Sequence, residues 1–170
     1  VKEFIEERDL TLFIVFDVSS SNEFGFERRK KEIGYDIAAS LMFAALRNND
    51  RVGLCLFTSE VELFIPPGKG KKHMLKLLRE LIYYEPKNRN TDIRAALSYL
   101  NNVIKKRSIV FIISDFLAPD FERPLKQLKN RHDVILVNIT DMREAQIPDI
   151  GYAFLEDQET GEQMLVDTSD

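Results

Sequence analysis

Four short apolar runs, separated by segments of helical periodicity, constrain the fold of this chain more than any other feature. The runs occupy 11–16, 52–57, 108–114 and 133–139 and read TLFIVF, VGLCLF, SIVFIIS and DVILVNI. Their apolar character is nearly continuous, without the alternation of a half-exposed strand, and this is typical of strands that are covered on both faces. The sequence therefore predicts buried, mainly parallel strands at the centre of the molecule.

Helical patterns fill the intervals between these strands. Helices are expected near 27–48 and 71–83, a third is expected after Thr91 as its N-cap, and a short one should follow SDFLAPD. The predicted buried positions of the first two helices are Ile33, Ile37, Leu41 and Ala45, and Met74, Leu77, Leu78 and Leu81. Alternation of strands and helices predicts an α/β fold, a doubly wound and mainly parallel sheet, in a single domain over 1–170.

Two segments depart from this alternation. The run VELFIPPG at 61–68 follows the second strand after only three residues, so it is expected to be an antiparallel edge strand whose pairing ends at Pro66 and Pro67. The segment 152–167 predicts two strands around a turn at 159–162. The expected sheet is therefore parallel apart from one antiparallel edge strand.

Composition excludes several classes of function. Lys and Arg number 24 against 28 Asp and Glu, a net charge of -4 that argues against nucleic acid or an anionic membrane surface as a partner. No apolar run approaches the ~20 residues of a membrane span. Cys55, the one cysteine, is expected to be a buried inert thiol, and His73 and His132 lack the spacing of a zinc site and are expected in surface or turn positions. The chain begins at Val1, and we interpret it as an excised piece. A reducing, cytoplasmic compartment is expected.

Oxygen-bearing side chains gather where the predicted strands end. Asp17, Ser19 and Ser21 follow the first strand as D-x-S-x-S, Asp115 follows the third, and Thr91 lies in a loop that enters a helix. Ligands of open α/β sheets bind beyond the carboxyl ends of the strands. Because no basic residue lies within either strand-end motif, a divalent cation is the expected counter-charge, and Mg²⁺ favours such oxygen ligands.

These residues carry a resemblance to a known family. DVSSS, with Thr91 and Asp115 downstream, resembles the metal-ion-dependent adhesion site of von Willebrand factor type A domains. Nearly end to end, through segments such as EFIEERDLTLFIVFDVSSS, NDRVGLCLFTSEVELFIPPGKGKKH and RHDVILVNITDMREAQIPDIGYAFLEDQETGE, the chain is similar to a bacterial family of such domains called domain of unknown function fifty-eight. The resemblance implies a von Willebrand type A, Rossmann-like fold.

The resemblance also implies a metal site and a mode of binding. Ser19, Ser21 and Thr91 would contact the ion through hydroxyls, and Asp17 and Asp115 directly or through water. The implied ion is Mg²⁺, with Mn²⁺ or Ca²⁺ as alternatives, and an Asp or Glu of a partner protein would complete its shell without catalysis. The recurrent partners of the family are MoxR-type AAA+ ATPases, and relatives tend to carry membrane spans upstream, which implies a membrane-tethered parent protein.

Simpler roles stay open for the same residues. Ser19 and Ser21 can cap a helix or close a turn, and Asp115 can start a turn before Pro119. The run RRKK at 28–31 opens a helix, where the dipole disfavours cations, so exposure to solvent or to an acidic partner is expected.

Two other functions compete with the binding module. Asp17 could be the nucleophile of a Mg²⁺-dependent phosphatase-like enzyme, although Ser19 stands where such sites place a second carboxylate and no convincing lysine for the phosphate is evident. The site could instead be vestigial and the domain a packing surface, in which case capture of a partner would not depend on metal.

Overall fold

A single sheet forms the centre of the computed structural model, which describes residues 9–19, 25–140, 152–156 and 163–167. Its strands are β1 (Thr11–Asp17), β2 (Arg51–Phe57), β3 (Val61–Gly68), β4 (Ile109–Ser114) and β5 (Asp133–Asn138). They are ordered β3-β2-β1-β4-β5, and every pair is parallel except β2 with β3. The predicted fold class, an α/β sheet with one antiparallel edge strand, is confirmed.

Strand order reverses on either side of β1. The chain leaves β1 to form β2 on one side and returns to form β4 on the other, so that Val15 pairs with both Cys55 and Ile112. In open α/β sheets, such a reversal opens a crevice beyond the carboxyl ends of the two adjacent strands where the order reverses, which here are β1 and β4. The fold therefore directs the search for a site to the ends of β1 and β4.

The antiparallel edge strand runs further than the sequence suggested. Ile65 pairs with Leu54, the register then shifts, and Gly68 pairs with Val52, so the prediction that Pro66 and Pro67 end the pairing is wrong. The two prolines lie within the irregularity, where a missing N–H costs no ladder hydrogen bond, and pairing resumes beyond them.

Within the described ranges, four helices cover the sheet: α1 (Gly25–Arg47), α2 (Gly70–Tyr83), α3 (Ile93–Val103) and α4 (Glu122–Lys129). Residues of α1 and α2 share one buried cluster with Leu12, Ile14 and Phe16 of β1. Residues of α3 and α4 share another with Phe13 and Val15. Successive residues of β1 thus point into cores on opposite faces, and the doubly wound arrangement is confirmed.

The buried face of α1 agrees with the predicted one except at Ile33, since Ala45 is buried and Ile37 and Leu41 pack half-buried against the same core. Ile33 is 53% exposed, whereas Gly34, Ala38 and Met42 are buried. Small residues decide this orientation, because they allow the helix to approach the sheet closely. A Cβ added at Gly34 would lie 2.8 Å from Cζ of Phe16.

Two further predictions concern single residues. Cys55 is fully buried, as expected, and burial raises the pKa of its thiol to about 12, which keeps it protonated. His132 lies in a turn, which is one of its two expected positions, but it is only 3% exposed, so the expectation of a surface position is wrong. It lies between the end of α4 and the start of β5, where the short connection carries it beneath the surface.

The remaining described strands are β6 (Tyr152–Glu156) and β7 (Gln163–Asp167), which pair antiparallel with Tyr152 opposite Asp167. The predicted pair of strands is confirmed, and its turn lies outside the described residues. No helix within the described ranges combines the length and apolar character needed to cross a membrane.

Candidate functional site

The ends of β1 and β4 bring two polar side chains into direct contact. Asp17 is the last residue of β1 and Ser114 is the last residue of β4, in a register that pairs Phe16 with Ile113. The Ser114 hydroxyl donates a hydrogen bond of 2.8 Å to Oδ2 of Asp17. The parallel pairing of two buried strands therefore fixes one carboxylate oxygen at the crevice.

The other carboxylate oxygen of Asp17 is held by the chain that follows the strand. Oδ1 accepts hydrogen bonds from the Ser19 backbone N–H at 3.0 Å and from the Ser19 hydroxyl at 2.5 Å. Oγ of Ser19 also contacts Oγ1 of Thr91, from a segment 72 residues away in sequence. Since a serine hydroxyl has one proton and Asp17 accepts it, Thr91 donates in this second contact.

The Thr91 hydroxyl is available because the neighbouring residue caps the helix. The predicted N-cap, Thr91, is wrong by one residue: Asp92 occupies that position and accepts from the backbone N–H of Arg94 at 3.0 Å. The short acidic side chain of Asp92 reaches the first-turn N–H, as N-caps do. Helix capping and a place at the site are thus divided between two adjacent residues.

The loop that carries Thr91 is anchored to the edge hairpin. The Glu62 carboxylate on β3 accepts hydrogen bonds from the backbone N–H groups of Lys87 at 2.9 Å and Asn88 at 3.1 Å. The N–H of Asp92 donates to the carbonyl of Thr58, which is fully buried, at 2.9 Å. These contacts fix both ends of the segment between Asn88 and Asp92, one to β3 and the other to the turn that joins β2 to β3.

Asp115, directly after β4, lines the same cleft as Asp17, Ser19 and Thr91. Its Oδ1 accepts from the N–H of Leu117 at 3.2 Å, so the proposed turn role is also present. The next residue, Phe116, has φ of 56°, a conformation that costs a bulky residue energy and persists where packing enforces it. Its ring lies 5.9 Å from that of Phe121, within the α3 and α4 core.

The electrostatics of Asp17 oppose its ionisation. Burial raises the pKa of Asp17, and the nearby charge of Asp115 adds to this effect, while hydrogen bonds from Ser19 and Ser114 act in the opposite direction. A carboxyl group perturbed in this way at the end of a strand, facing a cleft, is a candidate functional group.

Basic side chains also line the cleft, which the sequence motifs did not reveal. Lys30 and Lys31 of α1 and Arg89 of the loop before α3 border it together with Asp17 and Asp115. Lys30 is 8% exposed, so the expected exposure of RRKK is wrong at this residue. α1 begins at Gly25, before RRKK, and Lys30 lies in the cleft lining together with Phe16 and Ile113 of the sheet. The absence of basic residues from the strand-end motifs did not mean their absence from the cleft.

Four of the five predicted site residues therefore share one cleft: Asp17, Ser19, Thr91 and Asp115. The fifth, Ser21, lies outside the residues that the structure describes. Sequence reasoning missed Ser114 as a contact of Asp17, although it directly precedes Asp115 at a strand end. Sequence reasoning also missed Arg89, although Arg89 lies two residues before Thr91 in NRNT. The role of the five predicted site residues as metal ligands stays a prediction.

The donor set suits a hard cation. Within the described part of the chain, no three His, Cys, Asp or Glu side chains are grouped as a metal site. The cleft offers two carboxylates and hydroxyl oxygens instead, and oxygen is the ligand that Mg²⁺, Mn²⁺ and Ca²⁺ take. A divalent ion would also reverse the electrostatic penalty on Asp17, because positive charge favours the ionised carboxylate.

Sequence comparison finds relatives along the whole chain. The family model described as "Protein of unknown function DUF58" matches residues 1–170. Uncharacterized protein Rv1480 of Mycobacterium tuberculosis is 29% identical over 165 residues, covering 95% of this chain and 52% of that protein. Uncharacterized protein MAV169 of Mycobacterium avium is 34% identical over 100 residues, covering 57% of this chain and 59% of that protein. The chain spans about half the length of the curated relatives it matches.

Solved structures share the fold. An aerotolerance-related membrane protein from Bacteroides fragilis superposes with a TM-score of 0.62 at 16% identity, covering 93% of this chain and 81% of that chain. BatB from Bacteroides thetaiotaomicron, described as a conserved hypothetical protein, gives a TM-score of 0.56 at 14% identity and covers 93% and 80%. At such low identity, the likeness shows the fold alone.

Proposed function

This chain belongs to the DUF58 family, and we propose that it is a von Willebrand type A-like, non-catalytic module that binds a divalent cation and captures an acidic side chain of a partner protein. The observation that carries the proposal is the contact of Asp17 with Ser19 and, through it, with Thr91, beside Asp115 in the same cleft. Residues from three distant segments thus bring their oxygens to one cleft.

The residues that would hold the ion are Asp17, Ser19, Thr91 and Asp115, with Ser21 as the predicted fifth. Neutral hydroxyls donate little charge, so a bound Mg²⁺ would supply an electrophilic centre with coordination positions left for a carboxylate of another protein. Ser114 is a positioning residue, because its hydrogen bond orients the Asp17 carboxylate. The Glu62 contacts position Thr91 in the same way, through the loop.

The partner class that the family resemblance implies is a MoxR-type AAA+ ATPase, in a chaperone-like assembly. We propose this class on the resemblance, together with the acidic-ligand chemistry of the cleft. Capture of such an ATPase with Mg²⁺, and its loss with chelator, is the expected result of a pull-down. Capture that is equal with and without chelator would favour the vestigial-site reading.

Thermal unfolding and calorimetry with and without Mg²⁺ test the metal site. At a hundredfold excess over Kd, the bound ion would stabilise the fold by ~2.7 kcal/mol. We expect Asp17→Asn to abolish this gain and Asp36→Asn, an exposed carboxylate of α1, to retain it. The absence of calorimetric binding of Mg²⁺ and Mn²⁺ to the wild-type protein would contradict the proposal.

One observation favours a second candidate, a phosphatase-like enzyme. Lys30, Lys31 and Arg89 line the cleft and would supply positive charges for a phosphate, which the strand-end motifs lack. An Asp17 oxygen would attack phosphorus, the alcohol oxygen would leave with the bonding electron pair, and water would hydrolyse the acyl phosphate. Both Asp17 oxygens, however, already accept hydrogen bonds, and Ser19 stands in place of the acid.

Turnover of p-nitrophenyl phosphate separates the two functions. The binding module predicts no Mg²⁺-dependent release of nitrophenol above the uncatalysed rate. Release that requires Mg²⁺ and disappears in Asp17→Asn would establish the enzyme instead.

A further inference from the structure

The cleft carries more positive than negative side chains before any ion is added. Among its described lining residues, three are basic (Lys30, Lys31 and Arg89) and two are acidic (Asp17 and Asp115). Lys30 has interactions of its own, so Asp17 and Asp115 balance Lys31 and Arg89, and a bound divalent cation would leave two uncompensated positive charges. A single partner carboxylate would neutralise only one of these charges.

Arg89 is the basic residue best placed to meet a partner. Its side chain is exposed at the cleft, and among the described residues no hydrogen bond or ion pair engages its guanidinium. The backbone beneath it is fixed, because Asn88 donates to Glu62 and Asp92 donates to Thr58. A rigid segment thus presents a free planar fork, which matches a carboxylate with two parallel hydrogen bonds.

We propose that Arg89, assisted by Lys31, makes the cleft specific for a protein segment that carries two neighbouring carboxylates. One carboxylate would complete the coordination shell of the ion, and the other would bind the Arg89 guanidinium at the rim. This inference rests on the proposed function, and it narrows the partner from any acidic residue to a diacidic segment. Arg89 acts as a specificity residue and does not contribute to holding the ion.

The test compares two blocked peptides, acetyl-Gly-Asp-Asp-Gly-amide and acetyl-Gly-Asp-Asn-Gly-amide, titrated onto the protein in saturating MgCl₂ and followed by NMR. We expect the wild-type protein to bind the diacidic peptide about tenfold more tightly, because a bidentate Arg–carboxylate pair is among the strong hydrogen-bonded contacts. Arg89→Gln should reduce this preference to about twofold or less. Arg79→Gln, an exposed arginine of α2 outside the cleft, should retain it.

Mg²⁺ calorimetry on the same variants distinguishes the two levels of the proposal. Unchanged Mg²⁺ affinity in Arg89→Gln, with loss of the peptide preference, supports the inference. Equal binding of both peptides to the wild type, or a preference that survives Arg89→Gln, would overturn it and leave the metal-dependent module intact. A wild-type protein that binds no Mg²⁺ would overturn both.

Discussion

The middle of the central strands and their carboxyl ends show opposite chemistry. In the middle of β1, Ile14 and Val15 are fully buried between helices on the two faces of the sheet. Two residues further on, Asp17 is partly buried, its pKa is raised, and Asp115 adds a second negative charge nearby. One strand thus combines a stabilising core with an unfavourable charge at its end.

This difference shows that the ends of the central strands lower the stability that their middle provides. Buried apolar residues of β1, β2 and β4 hold the ends of these strands in register, and the register holds Asp17 against Ser114. The rigid middle therefore also holds Asp17 near Asp115, although their negative charges repel one another. Substitutions in the two regions should have separable effects, on unfolding free energy in the first and on ligand binding in the second.

The largest effect is expected in the middle of the sheet. Leu54→Ala removes a fully buried side chain from the α1 and α2 core and should lower the free energy of unfolding by about 2–5 kcal/mol. Leu75→Ala, at a leucine that is 53% exposed on α2, is the matched control and should cost far less. Chemical denaturation measures both, and equal losses would mean that the core is not where the structure locates it.

Substitutions at the adjacent residues Asp92 and Thr91 should separate an effect on stability from an effect on Mg²⁺ binding. Asp92→Ala removes the α3 cap and should cost about 1 kcal/mol of unfolding free energy. Thr91→Val removes the hydroxyl that contacts Ser19 and, in the proposed site, should weaken Mg²⁺ binding about tenfold, or ~1.4 kcal/mol. Calorimetry that found Mg²⁺ affinity lowered by Asp92→Ala but not by Thr91→Val would reverse the assigned roles.

Metal-free protein should become more stable when the buried charge is removed. The folded-state pKa of Asp17 is raised, so its contribution to stability is complete below the unfolded pKa of about 3.9 and is lost as pH rises through the folded pKa. In chelator at pH 7, Asp17→Asn should raise the melting temperature by roughly 2–4 °C. The gain in melting temperature should vanish near pH 3. A gain of the same size at both pH values would mean that removal of the buried negative charge is not its cause.

The smallest effect concerns His132, whose ring nitrogens have no hydrogen-bond partner among the described residues. Burial lowers the pKa of His132, and the charge of Arg131 acts in the same direction. The unfolded chain therefore gains the proton first, and stability should fall as pH drops below the unfolded pKa of about 6.5. His132→Phe should remove this acid-induced loss of unfolding free energy, which is expected to be below about 1 kcal/mol. Chemical denaturation between pH 7 and pH 5 measures the loss, and the same dependence on pH in the variant and the wild type would contradict the role of His132.

The fold could be predicted from the sequence because buried strands have a strong local signature. Continuous apolar runs at β1, β2, β4 and β5 and the three-residue connection before β3 determined the sheet. The exposure of Ile33 on α1 could not be predicted in the same way, because apolar periodicity favoured Ile33 whereas close packing required Gly34. Contacts between a helix and a sheet depend on residue size as well as on polarity.

The candidate site could be predicted in part, and the reason is similar. Asp17, Ser19 and Asp115 stand at strand ends, and Thr91 lies in a loop that enters a helix, so local sequence reveals all four. Lys30 and Arg89 belong to a helix face and a loop rim, and only the packing of α1 and the anchoring by Glu62 bring them to the cleft. Convergence of charges from separate elements has no signature in the sequence.

A crystal structure of the protein grown in Mn²⁺, with anomalous diffraction data, would show whether the cleft binds a divalent ion. We expect an anomalous peak bounded by Asp17, Ser19, Thr91 and Asp115, with a coordination position facing solvent or a carboxylate from a neighbouring molecule. Folded protein at saturating Mn²⁺ that shows no peak in this cleft would mean that these residues do not form a metal site.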